Sequence, residues 1–135
     1  MSEISPHILI IDDDPAILEL MSLILEGEGN YRVTAVEIVF EDVAAIERLQ
    51  PDLILLDFLT QGRQTGWTLL QKLKLYRPTK DIPVVLCTAA LQDVKEQEPV
   101  LTQKGIPILY KPFDVDELLH VVEQALTATH SSDKV

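Results

Sequence analysis

A single cysteine, Cys87, stands in the whole chain. No internal disulfide can form, which fits a reducing compartment. Basic residues are in short supply: 11 Lys and Arg face 22 Asp and Glu, for a formal net charge of −11 at pH 7. Nucleic-acid phosphates are held by clusters of Lys and Arg, so direct nucleic-acid binding is not expected of this chain. No apolar run approaches the ~20 residues of a bilayer-crossing helix. The N-terminal MSEISPH lacks the basic flank and apolar core of a secretory signal, and cytoplasmic residence is the expectation. Gly62 and Gly66 are not followed by the Lys-Ser/Thr of a nucleotide-cradling loop. His7, His120 and His130 share no metal-ligand spacing.

What remains is an ordinary globular composition: 47% hydrophobic and 24% charged over 135 residues, the size of one domain. Five short apolar runs recur, at residues 7–11, 31–36, 53–56, 83–87 and 106–110. Three of them (ILII, LILL, VVLC) are continuously apolar rather than alternating, the mark of strands buried on both faces. Helical periodicity fills the gaps. Ile17, Leu20, Met21, Ile24 and Leu25 share a face, with Gly27 and Gly29 as stops. A weaker segment covers 40–49. A third carries Trp67, Leu70 and Leu73 on its face, flanked by Leu69 and Tyr76, and ends before Pro78. The fourth, 92–104, contains Pro99, which removes a helical hydrogen bond and predicts a short, kinked or late-starting helix. The fifth is clearest: Asp114 caps a stripe of Val115, Leu118, Leu119, Val122 and Leu126. Strands alternating with helices predict a doubly wound α/β domain, a flavodoxin-like (βα)5 with a parallel five-stranded sheet in the order 2-1-3-4-5. The expected organisation is a tail at 1–6, the folded domain at 7–127 and a frayed polar tail at 128–135, with no room for an output domain.

In such folds ligands bind beyond the carboxyl ends of the strands. The residues found there are Asp12-Asp13-Asp14 after the first run, Asp57 after the third, Thr88 after the fourth and Lys111 after the fifth. Carboxylates gathered in one cleft repel, and either protonate or take up a cation. Hard oxygens with open positions suit Mg²⁺. An ionised carboxylate beside it is a competent nucleophile toward phosphorus, and Lys111 and Thr88 are suited to neutralising the transferred charge. Each piece also has a plain structural reading. Asp14 ahead of Pro15 is a helix N-cap, Asp57 can be a loop acid, and Lys111-Pro112 a turn. Their joint placement at strand ends is what favours chemistry. Cys87 and Trp67 read as core.

These segments resemble the receiver domains of two-component response regulators. ILIIDDDP resembles the family's first strand and acid pair, PDLILLDF its phosphoacceptor strand, VVLCTAA the strand bearing its hydroxyl residue, and YKPF its lysine–proline signature. The resemblance runs in order from about Ile8 to Leu126. It implies that Asp57 is the phosphoacceptor, that Asp13 binds Mg²⁺ directly and Asp12 mainly through water, and that the Leu59 carbonyl adds a ligand. Mn²⁺ would substitute for Mg²⁺. It further implies that Thr88 hydrogen-bonds the phosphoryl group, that Lys111 pairs with it, and that the Lys111–Pro112 bond is cis. The implied partners are a histidine kinase or phosphotransfer protein and a downstream protein target, with weak homodimerisation common in the family and no membrane partner. Catalysis would be confined to the domain's own phosphorylation and slow dephosphorylation.

Several positions depart from the family pattern. The loop 58–66 carries Gln61 where the family has proline, and one extra residue before Gly66. Ile108 occupies the usual place of a switch aromatic, and Tyr110 is expected on the opposite face of its strand. Residues 37–42 lack the usual polar-glycine turn. Pro99 and Gly105-Ile106-Pro107 alter the fourth helix and its exit. Leu59 and Ala90 stand where polar side chains tune phosphate lifetime, and neither can orient a hydrolytic water, so slow self-dephosphorylation is expected. Two alternatives stand beside the receiver reading: a phosphorylation-independent pseudo-receiver, and a small aspartyl-phosphate phosphohydrolase. The second normally needs a carboxylate at the position held by Leu59.

Overall fold

The computed structural model describes residues 5–37, 43–58, 65–89 and 91–133. The elements alternate as β1 (His7–Ile11), α1 (Pro15–Gly27), β2 (Arg32–Val36), α2 (Val43–Leu49), β3 (Leu53–Asp57), α3 (Thr65–Leu75), β4 (Val84–Thr88), α4 (Leu91–Gln103), β5 (Ile108–Tyr110) and α5 (Val115–Asp133). All strand pairings are parallel, in the order β2-β1-β3-β4-β5. This is the expected flavodoxin-like sheet.

The continuously apolar runs became its three central strands for a physical reason. Parallel strands are joined by helices that cover both faces, so side chains pointing either way are removed from water. Every residue of β3 and β4 is buried, as are four of the five in β1. The edge strands β2 and β5 are only partly buried. Two apolar clusters result, one on each face. Ile8, Ile10, Leu53, Leu55, Val85 and Cys87 pack with α1 and α5. Leu9, Ile11, Ile54, Leu56, Val84 and Leu86 pack with α2, α3 and Leu101 of α4.

Local chemistry fixes the helix ends. Asp14 accepts from the Ala16 N–H at 3.0 Å with Pro15 in the first turn, so α1 begins where the orphan donors are satisfied. Asp114 and Glu117 form a reciprocal capping box on α5: the Glu117 N–H donates to Asp114 (2.8 Å) and the Asp114 N–H to Glu117 (2.9 Å). Asn30, at φ 58°, rather than Gly27 or Gly29, takes the left-handed conformation after α1.

Three expectations are corrected. α4 is neither short nor late: it runs 13 residues from Leu91 with Pro99 inside. Pro99 and Lys95 both lie on the exposed side, so water can satisfy the Lys95 carbonyl that Pro99 leaves without a donor, while buried Leu101 holds the helix to the sheet. The helix ends at Gly105 (φ 72°), where the Gly105 N–H donates to Thr102 and the Ile106 N–H to Leu101. α5 continues to Asp133, past the predicted fraying point at Thr127, since no Gly or Pro interrupts it. Finally, Ile108 and Tyr110 pack on the same cluster rather than on opposite faces. Residues two apart in a strand share a face, and the expectation for Tyr110 missed that periodicity. Among the described residues no helix is long and apolar enough to cross a membrane.

Candidate functional site

The carboxyl ends of β1, β3, β4 and β5 converge on one acidic cleft. Ile11 is in register with Leu56, so the next residues out, Asp12 and Asp57, emerge side by side from adjacent central strands. The Asp12 backbone is held by donation from its N–H to the Val36 carbonyl (3.2 Å). Its Oδ1 accepts from the Asp14 N–H at 2.9 Å, which ties the acid pair to the α1 cap. One carboxylate oxygen from each of Asp12, Asp13 and Asp57 can lie within 4.8 Å of the others. Asp12 and Asp57 are buried, at 2% and 6% exposure, and Asp13 is more open.

Lys111 closes the cleft from the end of β5. Its ammonium donates to Asp12 Oδ2 at 2.7 Å and stands 3.5 Å from Asp57 Oδ1. The Lys111 N–H donates to the Thr88 carbonyl (2.8 Å), so strand pairing itself positions the lysine, and the Lys111–Pro112 peptide is cis. Thr88 is buried at the end of β4, one residue beyond Cys87, which pairs with Asp57 in the sheet.

The electrostatics are unbalanced. Burial, followed by repulsion from Asp12, raises the Asp57 carboxyl to about 7; Lys111 counteracts this and Asp13 adds to it. Burial pulls Lys111 down, but its hydrogen bond to Asp12 and the charges of Asp57 and Asp12 outweigh that, leaving it raised. One ammonium is therefore too little countercharge for three carboxylates. The donor set fits a hard divalent cation such as Mg²⁺: converging carboxylate oxygens, one acid open to solvent, and an excess negative charge that a cation would relieve.

The structure brings together four of the predicted site residues by direct distance: Asp12, Asp13, Asp57 and Lys111. Thr88 is placed at the rim of the same cleft through the Lys111 backbone. Leu59 and Ala90, and most of the unusual loop, lie outside the described residues. Ile108 and Tyr110 are partly buried in β5, and the Tyr110 hydroxyl lies 3.4 Å from a Glu98 carboxylate oxygen on α4. Cys87 is buried and free, and burial pushes its thiol up to about 12, as a core cysteine should behave.

The supporting role of one residue escaped the sequence reading. At Gly66, in the first turn of α3, a side-chain Cβ would collide with the Asp57 carbonyl and would lie 2.9 Å from that of Phe58. The glycine lets α3 start directly against the strand that carries Asp57. Trp67 then packs on Phe58, with ring centroids 6.0 Å apart. The sequence marked Gly66 as the glycine that closes the 58–66 loop, and nothing local reveals what backbone it must approach.

Comparison with known proteins agrees with this geometry. The family described as the response regulator receiver domain matches residues 8–123. The DNA-binding dual master transcriptional regulator RpaA of Synechocystis sp. is 40% identical over 124 residues, covering 92% of this chain and 50% of that protein. The chain spans about a quarter to a half of the length of the curated relatives it matches. Among solved structures, a CheY-like response regulator receiver domain protein from Methanospirillum hungatei is 29% identical, with a TM-score of 0.78 and coverage of 95% and 98% of the two chains. The receiver domain of a sensor histidine kinase from Pseudomonas aeruginosa, 24% identical over 91% of this chain and 98% of its own, shares the fold with a TM-score of 0.75; its structure has magnesium coordinated in the active-site cleft. Strand order, acidic cleft and sequence coverage lead to one conclusion: the chain belongs to the response regulator receiver domain family of two-component systems.

Proposed function

We propose that this chain is an active phosphoacceptor, in which Asp57 takes a phosphoryl group in a Mg²⁺-dependent reaction and thereby switches protein–protein contacts. The observation that carries this reading is the cleft itself, with three carboxylates converging within 4.8 Å and Lys111 spanning Asp12 and Asp57. Asp12 and Asp13, together with Asp57, would hold the cation, and the Leu59 carbonyl is the fourth ligand implied by the family resemblance. Mg²⁺, with Mn²⁺ as a substitute, supplies countercharge that keeps Asp57 ionised near neutral pH and draws charge from the phosphoryl oxygens. An Asp57 oxygen attacks phosphorus, the new O–P bond forms, and the bond from phosphorus to the donor breaks, the donor keeping the electron pair. Lys111 then exchanges part of its contact with Asp12 for the phosphoryl oxygens, and the Thr88 hydroxyl donates to another. The surrounding apolar strands limit water at the acyl phosphate.

The donor is a histidine kinase or phosphotransfer protein, and the readout is a downstream protein. With 22 acids against 11 bases, the chain itself is not suited to DNA. The decisive experiment is intact-mass analysis after incubation with acetyl phosphate, with and without Mg²⁺, beside Asp57→Ala. A single labile phosphoryl adduct requiring both Mg²⁺ and Asp57 is expected. Its absence in folded protein would overturn the reading and leave a phosphorylation-independent interaction module.

A further inference from the structure

At the opposite end of the sheet from Asp57 lies a cavity of about 280 Å³, between the starts of β4 and β5 and the ends of α3 and α4. Its walls are apolar where Pro83, Ile106 and Pro107 contribute and polar where Lys74, Lys104 and Gln124 do. Two lysines facing one small cavity are conspicuous in a protein with twice as many acidic as basic residues.

Lys74 is the informative one. Its ammonium donates to the carbonyls of Lys80 (3.2 Å) and Ile82 (3.0 Å), which pin it at the cavity wall. Those two acceptors leave one of its three donors for another partner. Among the described residues, no carboxylate lies within ion-pair distance of Lys74 or Lys104, and the ion pairs present are those of Lys111. Burial lowers Lys74; the charge of Asp81 opposes this, and repulsion from Lys104 adds to it. A partly buried ammonium that has no carboxylate at ion-pair distance among the described residues, and that a second ammonium repels, is a costly arrangement even with Asp81 opposing. A bound anion would relieve it. The backbone N–H groups of Gly105 and Ile106 are already committed to Thr102 and Leu101, so the lysines supply the recognition. Apolar walls beside paired cations select a ligand with an apolar body as well as a charge.

We propose that this cavity binds a small organic anion: a carboxylate on a compact apolar body, its charge held between Lys74 and Lys104 and its body against Pro83, Ile106 and Pro107. The site is independent of Asp57 and requires no phosphorylation. Bound there, the ligand would join α3, the turn after α4 and α5, and would stabilise the fold by linkage.

The test is a ¹H–¹⁵N NMR titration of the full chain with benzoate, with benzamide as the neutral counterpart and inorganic phosphate as the anion without an apolar body. Benzoate is expected to shift the amides of Gly105, Ile106 and Gln124 saturably, more strongly than either control. Lys74→Gln should weaken benzoate roughly tenfold, as loss of a charge-assisted hydrogen bond does. Lys104→Gln, on an exposed side chain that supports no other element, should weaken it roughly threefold, and it keeps the test sound should Lys74→Gln unfold. Absence of saturable shifts, equal shifts with benzamide, equal or stronger shifts with phosphate, or undiminished binding in Lys104→Gln would each overturn the proposal.

Discussion

Replacing Asp57 by Asn should stabilise the cation-free protein, and by an amount that depends on pH in a defined way. The folded state raises the Asp57 carboxyl from 3.8 to about 7, because burial and the neighbouring Asp12 both penalise its charged form. A carboxyl whose folded value lies above its unfolded value binds more protons folded than unfolded. It therefore lowers stability progressively as pH rises from about 4 to about 7, after which the cost levels off. The shift is about 3 units, worth about 4 kcal/mol at the plateau. Asn keeps the shape and removes the charge, losing only the long contact to Lys111, 3.5 Å away. With an unfolding entropy of roughly 2 cal/mol/K per residue, 4 kcal/mol corresponds to roughly 14 °C for a domain of this size. Deducting an imperfectly satisfied amide leaves a gain on the order of 5 to 10 °C. Thermal melts of both proteins in EDTA, from pH 4.5 to 8.5, measure it. The gain should be small at the acid end and grow to a plateau above pH 7. A gain independent of pH, or none at pH 8.5, would refute the electrostatic account of the cleft.

Other perturbations test its parts. Millimolar Mg²⁺ at pH 8 should raise the melting temperature of the wild type, and Asp13→Ala should remove most of that rise, as read by differential scanning fluorimetry. Lys111→Met leaves Asp12 buried without its 2.7 Å partner. It should cost on the order of 3 kcal/mol in urea unfolding at pH 7 without cation. Gly66→Ala forces a Cβ against the Asp57 carbonyl. A loss of roughly 1 to 3 kcal/mol is expected with slower labelling by acetyl phosphate, while Gly27→Ala, which meets open space, should be neutral or stabilising. Asp114→Ala breaks the α5 capping box and should cost about 1 kcal/mol in the same unfolding assay, with Asp114→Asn recovering most of it.

The site was legible because its residues sit where apolar runs stop. ILII, LILL and VVLC announce two-sided burial, and in a parallel sheet the residue ending each run must lie at the same edge as its neighbours. Asp12, Asp57, Thr88 and Lys111 could thus be grouped without coordinates. The caps at Asp14 and Asp114 were legible too, since a cap depends on a few consecutive residues.

Other features depend on what the chain meets after folding. Local propensity argued against a full α4, yet buried Leu101 anchors it and water reaches the exposed Lys95–Pro99 side. Composition predicted fraying after Thr127, yet a helix already nucleated by the packed stripe of α5 extends to Asp133 at little further cost. The constraint on Gly66 exists only because α3 lands on the Asp57 carbonyl. The pairing of Lys111 with Asp12, 99 residues apart, arises only when β5 and β1 are carried into one sheet. Sequence alone determined which groups would stand at the sheet's edge, since burial pattern and strand periodicity are properties of short segments. Tertiary structure decided how closely they approach, how far burial raises Asp57, and which lysine answers which acid, because distance and desolvation belong to the assembled fold.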